Sequence, residues 1–148
     1  MNATATQSKT TTLLKQCLVD TYTLLIKTHN YHWNVAGPNF YSLHKLFEVQ
    51  YNELFLAVDE LAERLRALDQ KAPGSIAEFA KITTITDALD DLSAEEMLLD
   101  LEKSNHDIIK SLTHLRDAAG ENDPQTQDMA IGRIQTHNKN AWMLKASI

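Results

Sequence analysis

The sequence predicts an all-α protein built as a four-helix bundle, and three observations lead to this fold class. Apolar residues recur at three- and four-residue spacing over long stretches, which is the periodicity of an amphipathic helix. The 148 residues include only four Gly and three Pro, fewer than a turn-rich β fold needs. Gly37-Pro38 and Pro73-Gly74 stand between periodic stretches, where such pairs end one helix and begin the next.

The first half of the chain predicts two long helices. The first runs from about Thr11 to Trp33 and the second from about Pro38 to Ala72. The second helix carries a sustained apolar stripe that consists of Phe47, Tyr51, Leu54, Val58, Leu61, Leu65 and Leu68. This stripe marks the face that we expect to turn toward the core.

The second half predicts a long crossover and two more helices. Residues 75–92 have a short, mixed pattern that indicates a crossover holding one short helix. Ser93 and Glu96 form a capping box that opens the third helix, which ends near Gly120. Asp123-Pro124 reads as an N-cap followed by Pro at the first helical position, opening a fourth helix to about Ala146. Four long helices with one long crossover are typical of a ferritin-like bundle.

The domain organisation and the location follow from composition. We place a short polar N-terminal tail at residues 1–10 and a single bundle domain at residues 11–148. No apolar run approaches the roughly 18 residues of a membrane span, and the first residues do not resemble a signal peptide. Cys17, the one cysteine, has no intrachain partner, which favours a reducing cytoplasm and a small buried side chain over a reactive thiol. The net charge of −6 disfavours general nucleic-acid binding and suits cation capture.

Histidines and carboxylates with metal-ligand spacing are concentrated at the junction of the first two helices. The candidates are His32, His44, Glu48, Asp59 and Glu63. The last four form two pairs with a four-residue spacing, so that each pair projects from one face of the second helix. Imidazole together with carboxylate suits iron, manganese or zinc. The alternative for either pair alone is a solvated charged face, and for the histidine of the first helix it is a helix-end or packing role.

The angular positions of these residues separate them from the core. With His44 at zero on a helical wheel, the other three candidates of the second helix lie at about 40°, 60° and 100°. The apolar stripe centres near about 300°, so the two sets are about 110° apart. We therefore expect the candidate ligands on a face that can meet another chain.

The axial distance between the two pairs requires a second chain. Fifteen residues separate His44 from Asp59, which is about 22 Å along a straight helix. One metal centre with bonds of about 2 Å cannot collect both pairs from one helix. Antiparallel two-fold pairing about an axis near Glu53 and Leu54 brings the first pair of one chain to the second pair of the other, and it creates two equivalent sites.

Several of these residues together resemble a known signature. His-Trp-Asn-Val-Ala-Gly-Pro-Asn-Phe at residues 32–40, then His44, then Asp-Glu-Leu-Ala-Glu-Arg at residues 59–64 are similar to the Dps family, the mini-ferritins named as DNA-binding proteins from starved cells. Ala-Trp-Met-Leu at residues 141–144 resembles the last helix of that family, and the resemblance runs from about Leu13 to Ile148.

The resemblance implies a function and assigns residues to it. The expected protein is a hollow homo-dodecamer, built from two-fold dimers, that oxidises Fe(II) preferably with hydrogen peroxide and stores ferric mineral, with no organic cofactor. The inter-subunit ferroxidase ligands carry over to His32, His44, Asp59 and Glu63. Many members carry Asp where this chain has Glu48, which we expect to bind a metal or to orient a metal-bound water.

Three further residues receive roles from the resemblance. Trp33 is expected beside the site, where its ring can intercept oxidising equivalents, and interface packing is the alternative. Asp123 and Asp128 resemble acidic residues that line threefold pores admitting iron, with helix capping as the alternative for the first and simple exposure for the second. The other four histidines have no comparable partner spacing and are expected to be surface or packing residues, namely His29, His106, His114 and His137. Lys9 and Arg133 receive no role.

Two other functions compete with iron oxidation. One is a nucleoid protein that binds and protects DNA, with iron oxidation secondary. Basic tails carry that activity in the family, and here the residues before the first helix offer only Lys9, so we expect DNA binding to be weak or absent. The other is a cage-forming scaffold or metal buffer without oxidation activity, which the complete ligand set disfavours.

Overall fold

The computed structural model describes residues 3–148, and most of them are helical. The long helices are α1 Ala3–Asn34, α2 Phe40–Ala67, α4 Ala94–Ala119 and α5 Pro124–Lys145, and the short helix α3 Ile76–Ile82 lies in the crossover. A single 3-10 turn, Gly120–Asn122, precedes α5, and the described residues form no β-strand. Helix α1 packs along α2 and α4, and α4 packs along α5. The predicted fold class is therefore confirmed.

The core is built from the apolar faces of the four long helices. Its fully or almost fully buried side chains include Leu14, Leu18, Phe47, Leu54, Leu61, Leu101, Ile108, Leu112 and Leu144. On α2 the predicted stripe faces this core, although Tyr51, Val58 and Leu68 are only half-buried. Cys17 is buried as expected, and burial raises the pKa of its thiol far above the ordinary value.

Helix α1 begins earlier than the sequence pattern predicted. The structure continues it back to Ala3, through most of the segment predicted as a polar tail, while Met1 and Asn2 lie outside the described residues. Thr10 is buried, and its hydroxyl donates to the carbonyl of Thr6 within α1 and to that of Ala118 at the end of α4. Hydrogen bonds along the helix and to a neighbouring helix hold these polar residues in place. Because the segment has no apolar periodicity, the sequence pattern did not predict that it is helical.

Helix α2 ends at Ala67 and not at Ala72, where the sequence predicted its end. Asp69 adopts a left-handed backbone conformation, with a φ of 58°. Its amide donates to the carbonyl of Arg66, and the amide of Gln70 donates to that of Leu65, which is the Schellman arrangement that terminates a helix. Gly usually occupies the left-handed position, and the Asp at this position hid the stop.

The crossover is held against the bundle by a buried carboxylate. Asp20 of α1 is fully buried, and it accepts hydrogen bonds from Thr83, Thr84 and Ser111. These donors join the crossover and α4 to α1, so that the desolvated carboxylate is fully paired. The capping box of Ser93 and Glu96 is present at the start of α4, as predicted.

No helix within residues 3–148 has both the length and the hydropathy that spanning a bilayer requires.

Candidate metal centre

Two histidines face each other where α1 ends and α2 begins. Gly37 turns the chain between the two helices with a φ of 114°, a conformation that L side chains rarely adopt. His32 in the last turn of α1 then stacks on His44 near the start of α2, with ring centroids 3.8 Å apart and planes 15° from parallel. His32 is buried and His44 half-buried, so one side of the pair stays open toward the surface.

Reciprocal hydrogen bonds determine the tautomer of both rings. Nδ1 of His32 lies 2.7 Å from the carbonyl oxygen of His44, and Nδ1 of His44 lies 2.7 Å from the carbonyl oxygen of His32. A carbonyl can only accept, so each Nδ1 carries the proton and donates it. In the neutral rings each Nε2 keeps its lone pair, which is the state of a histidine prepared for a metal.

Glu48 completes a group of three convergent ligands. Within residues 3–148, His32, His44 and Glu48 are the one set of at least three His, Cys, Asp or Glu side chains whose ligand atoms all lie within 4.8 Å of one another. Two imidazole nitrogens and a carboxylate oxygen form a donor set for borderline divalent metals such as Fe(II), Mn(II) and Zn(II). The sequence analysis predicted Glu48 as a metal ligand, and the structure brings its carboxylate next to the two histidines.

The carboxylate of Glu48 also has a cationic neighbour on its own helix. Nζ of Lys45 lies 2.8 Å from its Oε2. This hydrogen bond is the main reason that the pKa of the Glu48 carboxyl lies below its ordinary value, and it raises the pKa of the Lys45 ammonium. Sequence reasoning assigned no role to Lys45, although its three-residue spacing to the carboxylate was visible.

Asp59 and Glu63 lie on α2 beyond the three-ligand group. Both are exposed, and the angle between their face and the core agrees with the helical-wheel prediction. Exposed apolar side chains share this face, among them Val49, Phe55 and Leu56, which are 62–66% exposed. An apolar set of this kind is typical of a surface that is covered by another protein chain.

An aromatic cluster surrounds the histidine pair. Trp33 is 63% exposed, and its ring centroid lies 3.9 Å from that of His29. The ring of His29 also lies 4.4 Å from Tyr51, whose ring meets His32 edge-on at 5.0 Å. Burial lowers the pKa of His29 below the ordinary value, with a smaller contribution from His32. His29 and Tyr51 received no site role from sequence, although each is three residues from a candidate ligand.

The two aspartates assigned to a pore have different surroundings. Asp123 caps α5 through Thr126 and forms an ion pair with Arg64, with 2.7 Å between Oδ1 and Nη2. Burial raises the pKa of this carboxyl, but the Thr126 hydrogen bonds and the guanidinium outweigh it and lower the pKa. The capping role is therefore confirmed. Asp128 is exposed in a groove between α2 and α5 that also includes Glu53 and Glu60.

Comparisons with known proteins agree with the bundle and extend over nearly the whole chain. Residues 11–148 match the ferritin-like domain family. DNA protection during starvation protein 2 of Bacillus anthracis is 33% identical over 135 residues, which cover 90% of this chain and 92% of the relative.

Solved structures show the same similarity. Dps from Thermosynechococcus elongatus superposes with a TM-score of 0.95 at 31% identity, covering 99% of this chain and 94% of that one. Dps from Vibrio cholerae O1 superposes with a TM-score of 0.91 at 28% identity, covering 99% of this chain and 92% of the other, and it is described as a member of a broad superfamily of ferritin-like diiron-carboxylate proteins.

Proposed function

We propose that this chain, which belongs to the Dps family of ferritin-like proteins, is a ferroxidase and iron-storage protein. It oxidises Fe(II), preferably with hydrogen peroxide, at sites shared between two subunits, and it stores the ferric product in a hollow homo-dodecamer. Its consumption of iron together with peroxide protects the cell against oxidative damage. Fe(II) and peroxide are the substrates.

The observation that carries this proposal is the reciprocal hydrogen bonding of His32 and His44. Each Nδ1 donates to the other residue's carbonyl at 2.7 Å, so both rings are oriented before any metal arrives. Outer-shell bonds of this kind fix the tautomer and make the imidazole a better ligand. A pair of packing histidines has no need of this arrangement or of a carboxylate within 4.8 Å.

A second subunit supplies the remaining carboxylates. The separation along α2 prevents Asp59 and Glu63 from reaching the histidines of their own chain. Two-fold antiparallel packing of two α2 helices, with the axis near Glu53 and Leu54, brings Asp59 and Glu63 of the partner subunit to His32, His44 and Glu48. The exposed apolar residues on the same face support this packing, since an isologous contact buries the same residues on both subunits.

The donor set divides the chemistry between its two kinds of ligand. The neutral imidazoles bind Fe(II), and the carboxylates stabilise the higher charge of Fe(III). Two Fe(II) ions each give one electron, and with two protons from solvent they reduce one hydrogen peroxide to two water molecules without releasing a hydroxyl radical. Trp33, and with it Tyr51, lies close enough to the site to intercept a stray oxidising equivalent.

The first experiment measures Fe(II) oxidation by stopped flow, with peroxide and with oxygen. We expect the His32→Ala, Asp59→Ala double variant to lose rapid oxidation with both oxidants, and peroxide to be faster than oxygen in the wild type. His114→Ala, an exposed histidine on α4, is the matched control. Equal oxidation rates in the wild type and the double variant would contradict the proposed metal centre.

Co-assembly of two defective subunits tests whether the site is shared. A His44→Ala subunit and an Asp59→Ala subunit each lose all sites as homodimers. In a heterodimer one site collects both defects and the other collects none, so random mixing restores about a quarter of the sites. Recovery of activity on mixing is expected, whereas a site formed within one chain gives no recovery.

Glu48 is tested separately because its length departs from the Asp of many family members. We expect Glu48→Ala to lower the number of iron ions bound per site and to slow oxidation. Unchanged stoichiometry and an unchanged rate would contradict its role as a ligand.

The route of iron into the cage is assigned to Asp123 and Asp128. A ring of carboxylates concentrates cations by simple attraction. Because Asp123 is already paired with Arg64, the exposed Asp128 contributes more to the attraction. We expect Asp128→Asn to slow oxidation of external iron without changing tight metal binding at the histidine site.

DNA binding is proposed to be weak or absent. The net charge of −6 per chain repels phosphate. A gel-shift at low salt should show no retention of plasmid DNA at micromolar protein. Tight, salt-sensitive retention would instead make the nucleoid function primary.

A further inference from the structure

We propose that Lys45 acts as a counter-cation of the metal centre. Its ammonium stays paired with the carboxylate of Glu48 until a second metal ion displaces it. The inference rests on the proposed function and adds a residue that determines how many metals the site holds. Its consequence is one tight and one weak metal position per site.

The geometry places the lysine ammonium where a cation is needed. Lys45 directly follows the ligand His44 on α2, and its Nζ lies 2.8 Å from Oε2 of Glu48. The same carboxylate is within 4.8 Å of the ligand atoms of both histidines. A metal ion that uses Glu48 as a full ligand therefore competes with the ammonium for this carboxylate.

The ion pair is exposed enough to exchange. The side chain of Lys45 is 50% exposed and that of Glu48 is 35% exposed. An exposed pair of this kind contributes little to stability, so the ammonium can swing into solvent when a stronger cation arrives. A buried and fully bonded lysine could not do so, because it would leave a charge unpaired in the core.

The charge balance of the shared site gives the ammonium its effect. Glu48 together with Asp59 and Glu63 of the partner subunit brings three negative charges. One divalent ion and one ammonium neutralise them completely. A second divalent ion makes the site net positive, and more strongly so while the ammonium stays, so the ammonium opposes the second ion and the second ion binds more weakly than the first.

The same pair can be interpreted as an ordinary three-residue helix contact. That interpretation predicts a small change in helix stability and no change in metal stoichiometry. The chain offers a control for it on α4, where Nζ of the exposed Lys110 lies 2.9 Å from Oδ1 of the half-buried Asp107, also three residues away.

The test is anaerobic titration of the intact assembly with Co(II), followed by calorimetry and by the visible spectrum of bound Co(II). In Lys45→Met we expect the second equivalent to bind about threefold to tenfold more tightly, with the first changed by less than about twofold. Lys110→Met removes the same charge away from the site and should match the wild type. Lys45→Arg restores a cation and should keep the second equivalent weak.

Each outcome decides for or against the counter-cation. Two equivalents of equal affinity in the wild type, or a second equivalent that Lys45→Met does not tighten, would overturn it. An equal change in Lys110→Met would overturn it as well, because the effect would then be one of overall charge. A parallel His32→Ala titration separates the two levels: loss of the first equivalent supports the proposed centre independently of Lys45, whereas unchanged binding refutes the centre and the counter-cation together.

Discussion

The histidine pair at the α1–α2 junction and the histidine in the bundle core use their ring nitrogens differently. In all three rings Nδ1 faces an oxygen: a backbone carbonyl for His32 and His44, and Oδ1 of Asn105 at 2.8 Å for His137. The second nitrogen makes the difference. Nε2 of His137 faces Nη2 of Arg133 at 3.0 Å, so its lone pair is already used. The junction histidines converge on Glu48 instead.

The core histidine belongs to a chain of hydrogen-bonded polar side chains. Arg133 pairs with Glu53, and Asn105 donates to the carbonyl of Leu101 at 2.8 Å. Burial, assisted by the charge of Arg133, holds the pKa of His137 well below its ordinary value, so the ring stays neutral. Because both of its ring nitrogens have partners, His137 is a structural residue, whereas among residues 3–148 the junction histidines keep one nitrogen without a protein partner and are proposed as metal ligands.

The largest effect should follow from removing both ligand nitrogens while keeping the hydrogen bonds. In His32→Asn, His44→Asn the amide nitrogen can still donate to the facing carbonyl, but no Nε2 remains. We expect Co(II) affinity to fall by about 10⁴-fold, because loss of even one outer-shell group costs about 10–100-fold. Calorimetry measures the affinity, and circular dichroism should show unchanged helicity. Retained binding would mean that the pair packs and does not ligate.

Replacing the core histidine should lower the stability of the fold and leave metal binding unchanged. His137→Leu leaves Asn105 and Arg133 with an unpaired polar atom each, so we expect the free energy of unfolding to fall by about 2–3 kcal/mol. Guanidinium denaturation at fixed protein concentration measures it. Co(II) affinity at the junction should stay within about twofold. A weakened metal site would show that the two regions are coupled.

The stability of the fold should depend on pH through the buried His137. The folded-state pKa of His137 is depressed, so the unfolded chain takes up a proton at a pH where the native ring stays neutral. Stability is therefore full above the ordinary pKa of about 6.5 and falls below it, by about 1.4 kcal/mol per pH unit for each subunit. Denaturation between pH 7.5 and 5 should show a smaller slope for His137→Asn than for the wild type. An identical slope would assign the effect to other groups.

An exposed histidine should show the smallest effect. His106 lies on the outer side of α4, with Nε2 at 3.7 Å from Glu102. We expect His106→Gln to change the free energy of unfolding by less than about 0.5 kcal/mol and to leave Co(II) binding unchanged. A larger change in either measurement would mean that this ring has a partner in the assembled protein.

The candidate site could be predicted from sequence because its spacing is regular. The four-residue intervals on α2 and the angle from the core stripe depend only on helix geometry, and the structure places His32, His44 and Glu48 together. His29, Tyr51 and Lys45 were missed, because a single residue near a ligand has no spacing that distinguishes it from packing or a solvated face. The sharing of Asp59 and Glu63 between subunits remains a prediction.

The errors in the helix ends have local physical causes. Helix α2 stops at a Schellman turn whose left-handed residue is Asp69, where a sequence pattern expects Gly. Helix α1 extends to Ala3 through a polar stretch, and Thr10 anchors it to the end of α4. In the first case an unusual residue adopts a common conformation, and in the second a contact from a distant helix replaces the apolar signal.

The sequence by itself determined the number and order of the helices, the face of α2 that packs inward and the face that carries the candidate ligands. These follow from periodicity and capping, which are properties of neighbouring residues. Only the tertiary structure decided which nitrogen of each histidine is free, since that depends on carbonyls and amides from other turns and other helices. Each junction histidine keeps a lone pair on Nε2 and lies beside the carboxylate of Glu48, whereas both ring nitrogens of His137 already have partners.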